Sequence, residues 1–141
     1  MRRLILAVAV VLAACGGGGT PTPAPTAACM PAPAWLVAKI NENMTTEGVT
    51  LDTAYVAPAT DISGAAGTFS EPGATGWWVG GKLTGVDEPP AFWLIDRLDE
   101  NELGAIEGAN SVAKDYNDWG ILGPDAVVVA AGSEAVSDCI K

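Results

Sequence analysis

Gly16 to Ala28 reads GGGGTPTPAPTAA, and this stretch sets the outer limit on what the chain can fold into. Its glycines are flexible and its alternating prolines favour extended polyproline II. No residue in it can build a core. It separates a short apolar head from the 113 residues of Cys29 to Lys141, and only the second part has the length of a domain. That length suits one domain that buries about two-thirds of the unfolded surface. As a spacer, the stretch reaches up to roughly 40 Å at about 3 Å per residue.

The head runs Met1-Arg2-Arg3 and then apolar from Leu4 to Ala14. Two cations before about eleven apolar residues match the n- and h-regions of a signal peptide, expected over residues 1–14. The run is shorter than the roughly 20 residues that span a bilayer. Leu12-Ala13-Ala14-Cys15 at its end resembles the lipobox of bacterial lipoproteins. In that family a diacylglyceryl group is attached to the cysteine, which cleavage leaves as the first residue. Stable anchoring takes two acyl chains, which that group supplies. The resemblance implies lipid on Cys15, a tether over 15–28 and an extracytoplasmic domain over 29–141. With Cys15 so assigned, Cys29 and Cys139 remain at the two ends of the domain. Thiols outside the cytoplasm tend to be oxidised, so these two are expected as one disulfide.

Within the domain, Leu36, Val37, Ile40 and Met44 share one helical face, Pro33 stands near the first turn and Gly48 just past the end. Val49–Val56 alternates as a strand, with Val49, Leu51 and Tyr55 set against Thr50 and Asp52. Ser63–Gly76 is rich in Gly, Ser and Pro and reads as loop. Gly76–Leu83 and Ala91–Leu98 read as two strands of a hairpin across Asp87-Glu88-Pro89-Pro90, and Gly104–Gly108 as a short fourth. Val112, Tyr116 and Trp119 make a helical stripe, as do Val128, Ala131, Ala135 and Cys139, with Val127-Val128-Val129 leaving a strand as the alternative at that start. The expected fold is α+β: an antiparallel sheet of three to four strands with helices packed on one face, its N- and C-terminal helices joined by the disulfide.

Composition excludes several function classes. Without Arg2 and Arg3, five basic residues face seventeen acidic ones, which argues against nucleic acid and anionic lipid surfaces. No histidine occurs, which removes Ser-His-Asp and Cys-His catalysis and His-ligated zinc. Ser111-Val112-Ala113-Lys114 has the S-x-x-K form of penicillin-binding proteins and class A β-lactamases, and Lys82-Leu83-Thr84-Gly85 resembles a disrupted K-T-G. Their order is reversed, S-D-N is missing, and the domain is too short for that fold. Asp99–Gly104 and Asp115–Gly120 begin like calcium loops, but position five is Leu103 and Trp119, and position twelve Asn110 and Ala126. No cofactor, metal or catalytic residue is expected.

The tryptophans are the remaining signal. Trp77 and Trp78 are adjacent in a strand and so point to opposite faces, and Trp93 stands between Phe92 and Leu94 in the next. With helices on one face only, one indole of each strand would share the open face, where aromatic pairs stack on sugars or anchor partners. Trp77, Trp78 and Trp93 are therefore the candidate contact residues. The stretch Leu103–Trp119, followed by a helix ending in Cys139, is similar to small exported lipoproteins of high-GC Gram-positive bacteria that carry no assigned activity, and the resemblance implies no catalytic residue. The expected function is a lipid-anchored, non-catalytic binding or interaction module on the outer side of the cytoplasmic membrane, with the membrane, an envelope protein or a glycan as partner. A carboxylate-dependent envelope enzyme and a structural subunit of a membrane complex are the alternatives. Cys15→Ser should release the protein from membranes or leave it unprocessed. An unchanged mass and detergent partition in that variant would refute the anchor.

Overall fold

The computed structural model describes residues 29–59, 75–120 and 130–140. The expected signal peptide, Cys15 and the expected tether lie outside these residues, as do most of the expected loop from Ser63 and the start of the last expected helix. The elements run β1 (Met30–Pro31), α1 (Ala34–Glu42), β2 (Thr50–Ala59), β3 (Gly76–Thr84), β4 (Ala91–Ile95), β5 (Ile106–Gly108), α2 (Ser111–Tyr116) and α3 (Ala130–Ser137). The strands form one antiparallel sheet in the order β1-β2-β3-β4-β5. The α+β class stands, with five strands among the described residues instead of three to four. The unexpected one is β1, two residues that pair Met30 with Val56 and Pro31 with Tyr55. Its proline sits where sheets tolerate one, on an outer strand.

The sheet has helices on both faces, not one. On the first face Leu36 and Ile40 of α1 and Val112 and Ala113 of α2 pack on Leu51, Val79 and Trp93. On the second, Ala135 and Val136 of α3 pack with Ala57, Ala59, Trp78 and Leu94. The cause is the content of β3 and β4. Trp78 lies opposite Leu94 and Val79 opposite Trp93, so consecutive residues send large apolar side chains both ways. Both indoles are fully buried, Trp78 on the second face and Trp93 on the first. A sheet apolar on two sides has to be covered on two sides.

Alternation fails once. Between Leu51 and Ala54 the register of β2 against β3 shifts, a bulge that sets two residues, Asp52 and Thr53, against the one residue Lys82 between their flanking partners Leu83 and Gly81. Leu51, Ala54 and Val56 therefore all face the first core, and Tyr55 is sent to the second, away from the side it was expected to share with Leu51. Gly81 permits the bulge, because a Cβ there would stand 2.5 Å from Leu51 Cδ1 and 2.6 Å from the Thr53 carbonyl oxygen.

Two asparagines tie helices to strands. Asn41, in the last turn of α1, donates from Nδ2 to the Leu51 carbonyl (2.9 Å) and accepts from the Leu51 N–H (2.7 Å). It pairs with β2 as a neighbouring strand would. Asn110 caps α2 by accepting from the Ala113 N–H (3.0 Å), accepts from the Phe92 N–H (3.1 Å) and donates to the Pro90 carbonyl (2.8 Å). α2 ends at Tyr116, short of the stripe expected to Trp119, because Asn117 leaves helical geometry and bridges to Met44.

Cys29 and Cys139 are disulfide-bonded, with Cα atoms 6.6 Å apart and 110 positions between them. Cys29 precedes β1, so the bond joins the sheet edge to the end of α3 and not, as expected, the N-terminal helix α1 to the C-terminal one. Closing a loop of this length stabilises by about 4–5 kcal/mol on chain-entropy grounds. Trp78→Ala and Trp93→Ala should each cost about 3–5 kcal/mol through the cavities they leave. The half-buried Trp77 should cost less. Denaturant midpoints of the three variants check the order, and a cost for Trp77→Ala above both others would contradict it.

Candidate functional site

α1 buries one side and turns the other to solvent. Trp35, Ala38, Lys39 and Glu42 stand at i, i+3, i+4 and i+7 and so form a single stripe. Across from this stripe lies the connection between β4 and β5. The groove between them has a volume of about 450 Å³, with Glu100 and Leu103 on its far wall. Lys39 and Leu103 also line a second hollow of about 270 Å³, together with Ile106 and Trp119. Trp35 and Trp119 are half-buried: each packs on the first core and keeps part of its ring open.

The far wall is built by side chains closing on nearby backbone. Asp96 Oδ1 accepts from the N–H groups of Gly104 (3.0 Å) and Ala105 (3.1 Å). Asp99 accepts from the Asn101 N–H at 2.9 Å, and Arg97 bridges to Glu102 at 2.9 Å. These bonds hold the turn at Glu100 and Leu103 against the groove. Trp119 is placed by Asn117, which is buried and accepts from the Trp119 N–H at 3.2 Å, and by the Gly108 N–H donating to the Gly120 carbonyl at 2.7 Å. Lys39 lies 3.7 Å from Glu42 with both side chains over half exposed, an ion pair worth little in water. Together these residues offer indole faces, two carboxylates and an ammonium. Such a set binds by stacking and hydrogen bonding.

The residues singled out in the sequence are not brought together here. Trp78 and Trp93 are fully buried on opposite sides of the sheet and cannot serve as a contact surface; the shared open face does not form. Trp77 is half-buried on the Trp93 side. Ser111 and Lys114 are exposed on α2, whereas Lys82 and Thr84 line another hollow with Asp52 and Tyr55. There the Asp52 carboxylate is taken up by the hydroxyls of Thr50 (3.0 Å) and Thr84 (2.8 Å). Among the described residues no three carboxylates or cysteines converge as metal ligands, and the turns at Asp99 and Asp115 stand apart from any such group. Trp35 and Trp119 were not singled out. The available signal was that Trp35 falls beside the Leu36–Ile40 stripe and not on it.

Because Trp35 and Trp119 rest on the core without filling it, Trp35→Ala and Trp119→Ala should each destabilise by about 1–2 kcal/mol, below the cost of a fully buried tryptophan. Thermal unfolding of both variants beside Trp93→Ala checks this, and equal losses would make the groove tryptophans scaffold. Searches of protein-family models, of curated proteins and of solved structures find no match to this chain.

Proposed function

We propose that the protein is a non-catalytic binding module, held at the extracytoplasmic face of the membrane by lipid on Cys15, and that it meets an envelope protein or glycan along the groove from Trp35 to Trp119. The observation that carries this reading is the pair of half-buried indoles, Trp35 and Trp119, on two hollows that share Lys39 and Leu103. Tryptophans with one side on a rigid core and the other open are the commonest anchors of protein contacts, and they stack on sugar rings equally well. They sit on a helix and on a braced turn, so little ordering is left for the moment of binding.

A carboxylate-dependent envelope enzyme is the second reading, favoured by Glu42 and Glu100 lining the same groove. The two readings separate on substitution. In the full-length anchored protein, Trp35→Ala should weaken retention on isolated cell-wall glycan, or crosslinking to an envelope protein from position 39, by about 2 kcal/mol or roughly thirtyfold. Glu42→Gln and Glu100→Gln should leave each interaction within a few-fold. Binding in both arms that ignores Trp35 would refute the groove. Turnover of an envelope glycan that vanishes in Glu100→Gln would replace the module with an enzyme.

A further inference from the structure

α3 is eight residues long, and a helix of that length needs tertiary contacts to persist in water. Its described side chains in the second core are Ala135 and Val136, both small, with Ile140 half-buried against the same core past its end. What lies beneath them is large: Trp78 and Leu94 are fully buried, and Phe92 is half-buried beside them. The approach is close, since a Cβ on Gly80 would stand 2.6 Å from Val136 Cγ1. The buried Trp78 indole N–H has no acceptor among the described residues, so it gains a hydrogen bond whenever water reaches it. Beside this contact stands a covalent restraint: Cys139, just past α3, is bonded to Cys29 at the sheet edge. Both cysteines are half-buried and neither lies fully in the core.

We propose that the Cys29–Cys139 disulfide is a redox-sensitive clasp. Closed, it holds α3 on β2 and β3. Reduced, it lets α3 leave the sheet and opens the Trp78 face while the first core stays folded. The first core has its own ties: α1 and α2 lie on the opposite face, and Asn41 and Asn110 bond them to β2 and β4. Opening needs a dithiol reductant. One of its thiolates attacks one cysteine sulfur, expels the other cysteine as a thiolate and forms a mixed disulfide; its second thiol then displaces the cysteine that was attacked. The protein gains two electrons and two protons as two thiols, and the reductant leaves as a cyclic disulfide.

Hydrogen exchange of the full chain, before and after reduction by dithiothreitol, tests this. Amides 133–139 should exchange about tenfold faster or more once reduced, while those of β3 and β4 stay protected. Loss of protection in α3, β3 and β4 together would show a structural bond without a local opening, and unchanged α3 exchange would show no clasp; either overturns the proposal. Cys29→Ser/Cys139→Ser should reproduce the reduced pattern without reductant. Val136→Ala with the disulfide intact should loosen α3 less than reduction does, and loosening as large as reduction would move the restraint from the bond to the packing.

Discussion

A strand alternates its side chains between two faces, and β3 and β4 put large apolar groups on both. Trp78 faces one way and Val79 the other; across the ladder Leu94 and Trp93 do the same. Neither face can be left wet without exposing an indole. The layout follows from that constraint: α1 and α2 cover the first face, α3 covers the second, and the sheet becomes the middle layer. Small residues then set how near the layers come. Gly80 lets α3 down onto the second face, and Gly81 lets the β2 bulge pass on the first.

The edges of this sheet are short, two residues in β1 and three in β5, and short edges are poor templates for pairing with other chains. Where backbone pairing ends, side chains continue it. Asn41 pairs with both backbone groups of Leu51, Asn110 joins Pro90, Phe92 and Ala113, and Asp96 gathers two N–H groups of the β4–β5 connection. Each leaves a buried or half-buried backbone group satisfied that would otherwise cost about 1–3 kcal/mol. The last of these bonds forms the far wall of the groove, so the rigidity of the candidate site is part of the rigidity of the fold.

The helices and the central strands were legible because they rest on local periodicity: Leu36 and Ile40, the WWV and FWLI runs, and Val112 with Tyr116 lie in the elements their spacing indicates, while Trp119 of the same stripe falls past the end of α2. What depends on tertiary structure was not. β1 is strand only because β2 runs beside it, and two residues carry no period. The bulge at Asp52 and Thr53 inverts the side of Tyr55, a shift that strict alternation cannot represent. Helices on one face was an assumption that the runs WWV and FWLI argue against, since an apolar residue at each step marks burial on both sides. The groove was hidden for a different reason. Its walls, Trp35 to Glu42 and Glu100 to Ile106, are some sixty positions apart, and nothing local in either announces the other.

The placement of the five tryptophans closes both sheet faces and leaves Trp35 and Trp119 as the aromatic surface. Acrylamide quenching of single-tryptophan variants, with the other four replaced by Phe, reads this directly. In the disulfide-bonded protein Trp78 and Trp93 should emit to the blue and resist quenching, while Trp35 and Trp119 should be quenched to an intermediate degree. Quenching of Trp78 as ready as that of free tryptophan would mean that the second face is open, and the three-layer arrangement would be wrong.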